Sequence, residues 1–456
     1  MSDKKSMLAG IDDQNHLLRV LKLRHLVIYG IAFMTPIAPA FVYGFVTTSS
    51  GGMMALAYIV AMIAMLFTAS SYEKMASAFP YAGSTYSYSQ EAIHPNAGFV
   101  AGWAMYMDYV LVPLIVLIIG ATYCTVVFPA VPYWFWVLSM GLFIFVVNYL
   151  GISVAAMVNN ILVLYMCVVV ILFLIFGVSS ILGGTGAGTL VSSKPFYNPD
   201  TFIFKSIFSA AALCCFSFIG FDSITTLAEE AVNPRKDIGR AAMLACLGGG
   251  LIFIIQAYIA QLAWPDYTTF TDLDTAFFEV IKLVSGPGVS IMFTGAIIVS
   301  SITAGLAGQA SAARVMYAMG RDGRLPRKFF AYIHPRFKTP TNNITVMAVF
   351  GMVGAFLLKL EFVAELMSFG ALVGFMFVNL SVVFYFFIKK REYKIFRNLI
   401  LPALGFLICG YLWISLAPST LKIGLIWMAI GGLYCLILSK GFKEQITVYN
   451  DGGEST

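Results

Sequence analysis

The stretch 33-FMTPIAPAFVYG-44 decides the fold. It lies inside an apolar run from His25 to about Val46, yet it places Pro36 and Pro39 three residues apart. A proline in a helix interior removes a hydrogen bond and drives its ring against a carbonyl one turn back, at about 3 kcal/mol. Two of them predict an interrupted helix. Lipid cannot satisfy the freed backbone groups, so such a break must face protein or a water-filled cavity.

Working outward, a second interruption stands in 216-FSFIGFDSITTLAEE-230, where Gly220 is followed by Asp222. Twelve apolar runs are predicted, with cores near 25–46, 53–75, 98–127, 133–150, 154–182, 202–228, 240–263, 288–316, 343–359, 363–388, 399–416 and 419–438. The two breaks fall in the first and sixth. Corresponding broken helices in two halves point to a transporter built of inverted repeats, its site near the membrane midplane. The expected organisation is a tail (1–24), two five-helix repeats (25–182 and 183–388), two peripheral spans (389–438) and a second tail (439–456). The fold class is all-α and polytopic.

Composition agrees: 60% of the residues are hydrophobic, 11% are charged, and mean hydropathy is +0.86, which no soluble surface of this size would allow. The first apolar run follows a polar tail of 24 residues and lacks a cleavage site, so it reads as a span rather than a secretory signal. If the N-terminus is cytoplasmic, the inner segments carry 23 of the 28 Lys and Arg residues. That is the asymmetry of a protein with both ends inside the cell membrane. The net charge of +6 then meets anionic lipid headgroups, not nucleic acid. The seven cysteines lie in apolar stretches and read as small core residues. There is no HExxH or CxxC spacing and no nucleophile–base pattern, so neither a metal, a cofactor nor an enzyme is expected.

Among 22 acidic residues, Asp108 and Asp222 are the ones read as lying well inside spans. A carboxylate near the bilayer centre costs at least ~2.5 kcal/mol and so should face a cavity or a partner. No lysine or arginine is deep enough to neutralise either, which leaves a proton or a visiting cation. Asp222 follows the break directly. Asp108, in 102-GWAMYMDYVLVP-113, could alternatively make a polar contact with Asn148 or Asn159. Phe216 and Phe218 flank the break as packing residues, one of which could close over a ligand. Tyr43, Tyr106 and Tyr109 are weaker candidates. The run 321-RDGRLPRK-328 reads as a solvated face, and 182-LGGTGAG-188 as an outer turn rather than a phosphate loop.

Several motifs together resemble the amino acid–polyamine–organocation superfamily. They are 216-FSFIGFDSITTLAEEAVNPRKDIGRA-241, 314-RVMYAMGRDGRLPRKFFAYIHPRFKTP-340, 79-FPYAGSTYSYSQEAIHPNAGFVAGW-103 and 368-SFGALVGFMFVNLSV-382. The wording is closest to the bacterial putrescine-importer branch. The resemblance implies a LeuT-like fold of ten core helices in two inverted repeats plus two peripheral ones, working by alternating access.

Amino-acid members of that superfamily carry a glycine-rich turn in the first break, whose amides hold a substrate carboxylate. Here the position reads Thr35-Pro36-Ile37-Ala38-Pro39-Ala40. Proline has no amide hydrogen, so a carboxylate would be poorly served and an amine fits better. Ile37, Ala38, Ala40, Asp108, Phe216, Gly220 and Asp222 are thus the expected substrate contacts. Asp108 and Asp222 are also candidates for a coupling proton. Ser300 and Ser301, with Thr303, stand where sodium-coupled relatives carry ion-binding hydroxyls, the alternative being small packing residues. No lysine lies in the fifth span, where some proton-coupled relatives carry one. The expectation is secondary import of an amine such as putrescine, or of an amino acid, coupled to protons rather than sodium. A neutral amino acid permease, an exchanger and a non-transporting sensor on the same fold are the alternatives.

Overall fold

The computed structural model describes residues 19–80, 84–151, 156–228, 230–321 and 325–439. The expected tails therefore lie almost wholly outside the described residues, as does Glu229. Fifteen α-helices, two 3-10 segments, two π-helical segments and a single β-bridge form the regular structure of the described residues.

The first span is two helices, α1 (Leu23–Phe33) and α2 (Pro39–Ser49). Thr35 between them has φ 57°, a left-handed conformation that a β-branched residue rarely enters. The following proline disfavours the helical alternative, because its ring crowds the residue before it. Pro39 opens α2 at its first position, where no helical N–H is needed. Then come α3 (Met54–Ala78), α4 (Ser84–Ala92), α5 (Pro95–Val127), α6 (Tyr133–Leu150) and α7 (Ala156–Leu182).

The sixth span is α8 (Phe204–Phe218) followed by a 3-10 turn, Asp222–Leu227. After it run α9 (Pro234–Ala263), α10 (Ala276–Arg321), α11 (Arg327–Phe330), α12 (Thr341–Leu357), α13 (Leu360–Val382), α14 (Leu401–Ile414) and α15 (Pro418–Leu438). Helix α10 is longer than the span expected at 288–316, because a lead-in arm bends into it at Gly286 and Pro287. Among the described residues ten segments are long and apolar enough to cross a membrane; the 17-residue α12 and the broken first span complete the expected order. The chain is a multi-pass membrane protein.

Helix α3 lies along α9, α5 along α10, and α6 against α12, each pairing a helix of the first five spans with its counterpart in the second five. Helix α13 touches both α3 and α5 and so joins the two groups. At one end of the molecule the chain before α1 meets the chain after the sixth span. Val20 and Leu21 both donate to the Glu230 carbonyl at 3.0 Å, and Val232 donates to that of Leu21 at 2.9 Å.

The peripheral helix α15 is clasped to α5. Trp103 Nε1 donates to the Trp427 carbonyl at 2.9 Å, Trp427 Nε1 donates to that of Trp103 at 3.1 Å, and the rings stack at 4.8 Å.

Candidate functional site

The two breaks cross each other. Gly220 has φ 124°, and a methyl group there would lie 2.4 Å from Phe33 Cδ1 and 3.0 Å from the Phe33 carbonyl carbon. Only glycine fits both the angle and the approach. Ile37, Ala38 and Ala40 of the first break and Gly220 and Asp222 of the second are all buried.

The first break is rich in acceptors. Pro36 and Pro39 have no N–H, while those of Thr35, Ala38 and Ala40 go to the carbonyls of Ala32, Thr35 and Ile37. The Pro36 carbonyl accepts from Gln256 Nε2 of α9 at 2.9 Å, and that of Ala40 from the Tyr123 hydroxyl of α5 at 3.2 Å. In the second break, Gly220 N–H donates to Asp222 Oδ1 at 3.2 Å, and the Thr225 hydroxyl donates to the Asp222 carbonyl at 2.7 Å. Phe216 is half-buried one turn before the break, whereas Phe218 packs into a core with Tyr58 and Phe253.

Asp108 is 6% exposed and both its carboxyl oxygens lack a hydrogen-bond partner among the described residues. It faces α13 at Gly370, where a methyl group would stand 2.6 Å from the Ala104 carbonyl and 3.3 Å from Asp108 Oδ1. The absent side chain lets α5 and α13 touch with the acid at the contact. Asp108 is within electrostatic reach of Asp222. Exposed Tyr109 is within electrostatic reach of both acids, and Tyr29 on α1 lies beside Ser223. The contact expected between Asp108 and Asn148 is absent. Asn148 donates to Gln309 Oε1 and the Leu306 carbonyl instead, because α6 turns it toward α10. The side chain of Asn159 lies outside the described residues.

Other candidates are dispersed. Ser300 and Ser301 are buried on α10; Ser301 packs on Gly120 of α5, and the Thr303 hydroxyl donates back to the Val299 and Ser300 carbonyls. Tyr106 stacks toward Trp427, and Tyr43 lies between Phe270 and Phe277.

One acid was missed: Glu365, 8% exposed on α13, accepts from the Thr420 hydroxyl of α15. It lies only two residues inside the expected span edge, so spacing alone did not separate it from the interface. Gln256, Tyr123 and Thr35 were also missed. Of these, Thr35 carried a signal, since it precedes a proline.

Exposure differs between the two sides. Phe33, Tyr109 and Thr226 around the crossing are exposed. On the α2 side, Tyr43 is buried, and a methyl group on Gly44 would meet the Leu273 backbone at 2.3 Å. There α2 packs on α8 and α10, whereas α1 packs on α9 and the 3-10 turn.

Comparison with known proteins agrees with this architecture. An amino acid permease family profile matches residues 25–449. The chain is 38% identical over 442 residues to the low-affinity putrescine importer PlaP of Escherichia coli K12, covering 95% of this chain and 97% of that one. It is 26% identical to the branched-chain amino acid permease BcaP of Bacillus subtilis, with 96% of each chain covered. It is 25% identical to the methylthioribose transporter of the same species, with 86% and 87% covered. The chain belongs to the amino acid permease family.

Proposed function

We propose that this protein is a secondary transporter that imports an amine, with putrescine or a related polyamine as the expected cargo, across the cell membrane. The carrying observation is a shortage of donors beside acids: two prolines and the engaged amides of Thr35, Ala38 and Ala40 in the first break, Asp222 in the second, and the unpartnered Asp108 within electrostatic reach of Asp222. An ammonium donates to carbonyls and carboxylates, whereas a substrate carboxylate would meet, in the first break, two prolines without an N–H and three amides already engaged. The likeness to a putrescine importer supports the same cargo. The likeness to BcaP favours the second reading, a neutral amino acid permease.

In this reading residues 25–182 and 183–388 are the two repeats, with both termini cytoplasmic. Ile37, Ala38, Ala40, Phe216 and Gly220 line the cargo, and the Asp108–Asp222 pair takes either its ammonium groups or a coupling proton. Sodium at Ser300 and Ser301 is the weaker alternative, because Ser301 packs against helix α5. The closed α2 side is the outer face and the open α1 side the inner one. Cargo is released inward by the observed arrangement and taken up after α1 and the 3-10 turn close. No step calls for a covalent intermediate.

Uptake of radiolabelled putrescine and of a neutral amino acid into proteoliposomes, with and without an inward proton gradient, tests this. Gradient-driven putrescine uptake should fall at least tenfold in Asp222→Asn and in Asp108→Asn. Amino-acid uptake without putrescine uptake would overturn the amine reading.

A further inference from the structure

Between α13 and α14 the chain turns through 389-KKREYKIFR-397, five cations against one acid. The turn is elaborately held. Both flanks wind as π-helix, Val383–Lys389 and Phe396–Ile400, a rare geometry found disproportionately at functional sites. Arg391 stands at φ 53°, in the left-handed region. Glu392 N–H donates back to the Phe386 carbonyl, and Lys390 N–H to that of Tyr385.

Buried Asn398 donates to the Glu392 carbonyl at 2.7 Å and accepts from Lys74 Nζ of α3 at 2.7 Å; Lys74 also reaches the Arg397 carbonyl. Lys389 Nζ donates to the Glu91 carbonyl at 3.2 Å, and the Lys390 ammonium lies 4.7 Å from the Tyr385 ring centre. Three of the lysines around this turn therefore have internal contacts. Arg391, Lys394 and Arg397 are exposed. Interleaved with them, Tyr393, Ile395 and Phe396 are 66%, 56% and 63% exposed.

Large apolar side chains alternating with cations suit one environment, the boundary between headgroups and acyl chains. There the rings enter the apolar layer while guanidinium and ammonium groups meet phosphate. We propose that residues 389–397 form a binding site for an anionic phospholipid. Arg391, Lys394 and Arg397 take the phosphate, and Tyr393 and Phe396 seat in the acyl boundary. The site rests on the reading of this turn as facing the inner leaflet, and is independent of which cargo is carried.

The test uses the full-length protein reconstituted in phosphatidylcholine bilayers with a trace of spin-labelled phosphatidylglycerol or spin-labelled phosphatidylcholine. The readout is the immobilised fraction of each label, so a failure of the cargo assignment cannot disturb it. Wild type should prefer the phosphatidylglycerol label by roughly fivefold or more, since each cation near an anionic surface contributes about that factor. The triple variant Arg391→Gln, Lys394→Gln, Arg397→Gln should bring the two labels to parity. The control variant Arg235→Gln, Lys236→Gln, Arg240→Gln, which neutralises exposed cations at the start of α9, should keep the preference. Three results would overturn the site: no preference in wild type, a preference that survives the first variant, or one lost equally in the control. Full competition by soluble glycerol phosphate would assign the cations to a soluble phosphate instead and would overturn it too.

Discussion

Gly220 shows how narrowly one residue can be specified. Its left-handed φ already disfavours any side chain, by about 1–3 kcal/mol. A methyl group would in addition run into the Phe33 ring and backbone, which belong to the other break. Gly220→Ala should therefore push the two breaks apart and lower uptake at least tenfold, the factor that corresponds to about 1.4 kcal/mol of lost alignment. Parallel uptake and size-exclusion measurements separate this from misfolding: a monodisperse, inactive variant is expected, and an active one would show that the crossing tolerates a wider gap. Asp108 and Asp222 were legible because acids are rare in spans and costly there. Their electrostatic coupling was not, since it depends on how segments far apart in the chain pack. Thr35 was hidden for a different reason, as its identity says little while its neighbour Pro36 sets its conformation.

At the scale of elements, both helix breaks were readable from proline and glycine, and helix order from hydropathy. What hydropathy could not supply was the lead-in arm of α10, whose bend needs the backbone of Gly286, or the closure of one side by the loop before it. That loop carries Asp274. Its carboxyl is pushed up to about 6, by burial first and then by Asp272 and Glu361, with Lys359 opposing. A carboxyl raised in the fold binds its proton more tightly there than in the unfolded chain. The folded loop is thus weakened above pH about 6 and strengthened as pH falls through that value. Thermal unfolding should show wild type gaining stability between pH 7.5 and 5 relative to Asp274→Asn; parallel curves would refute the assignment. The tryptophan clasp predicts a different signature. Trp427→Ala removes the ring stack and one of the reciprocal hydrogen bonds, at about 3 kcal/mol. The melting temperature should drop while the half-saturating cargo concentration stays unchanged, because α15 does not reach the crossing.

For the whole molecule, the pairing of α3 with α9 and α5 with α10 is what a duplicated arrangement requires, and the sequence signalled it only through the matched breaks. No residue identity marked the place where the chain before α1 joins the chain after the 3-10 turn. The bridge from Leu21 to Ala231 is made of backbone bonds alone, and backbone bonds leave no trace in composition. Yet it removes a degree of freedom. With α1 and the chain after the 3-10 turn tied at their ends, neither can swing outward without carrying the other. If the proposed inner gate lies at this end, it has a single leaf, and arrangements in which half of it is ajar do not arise.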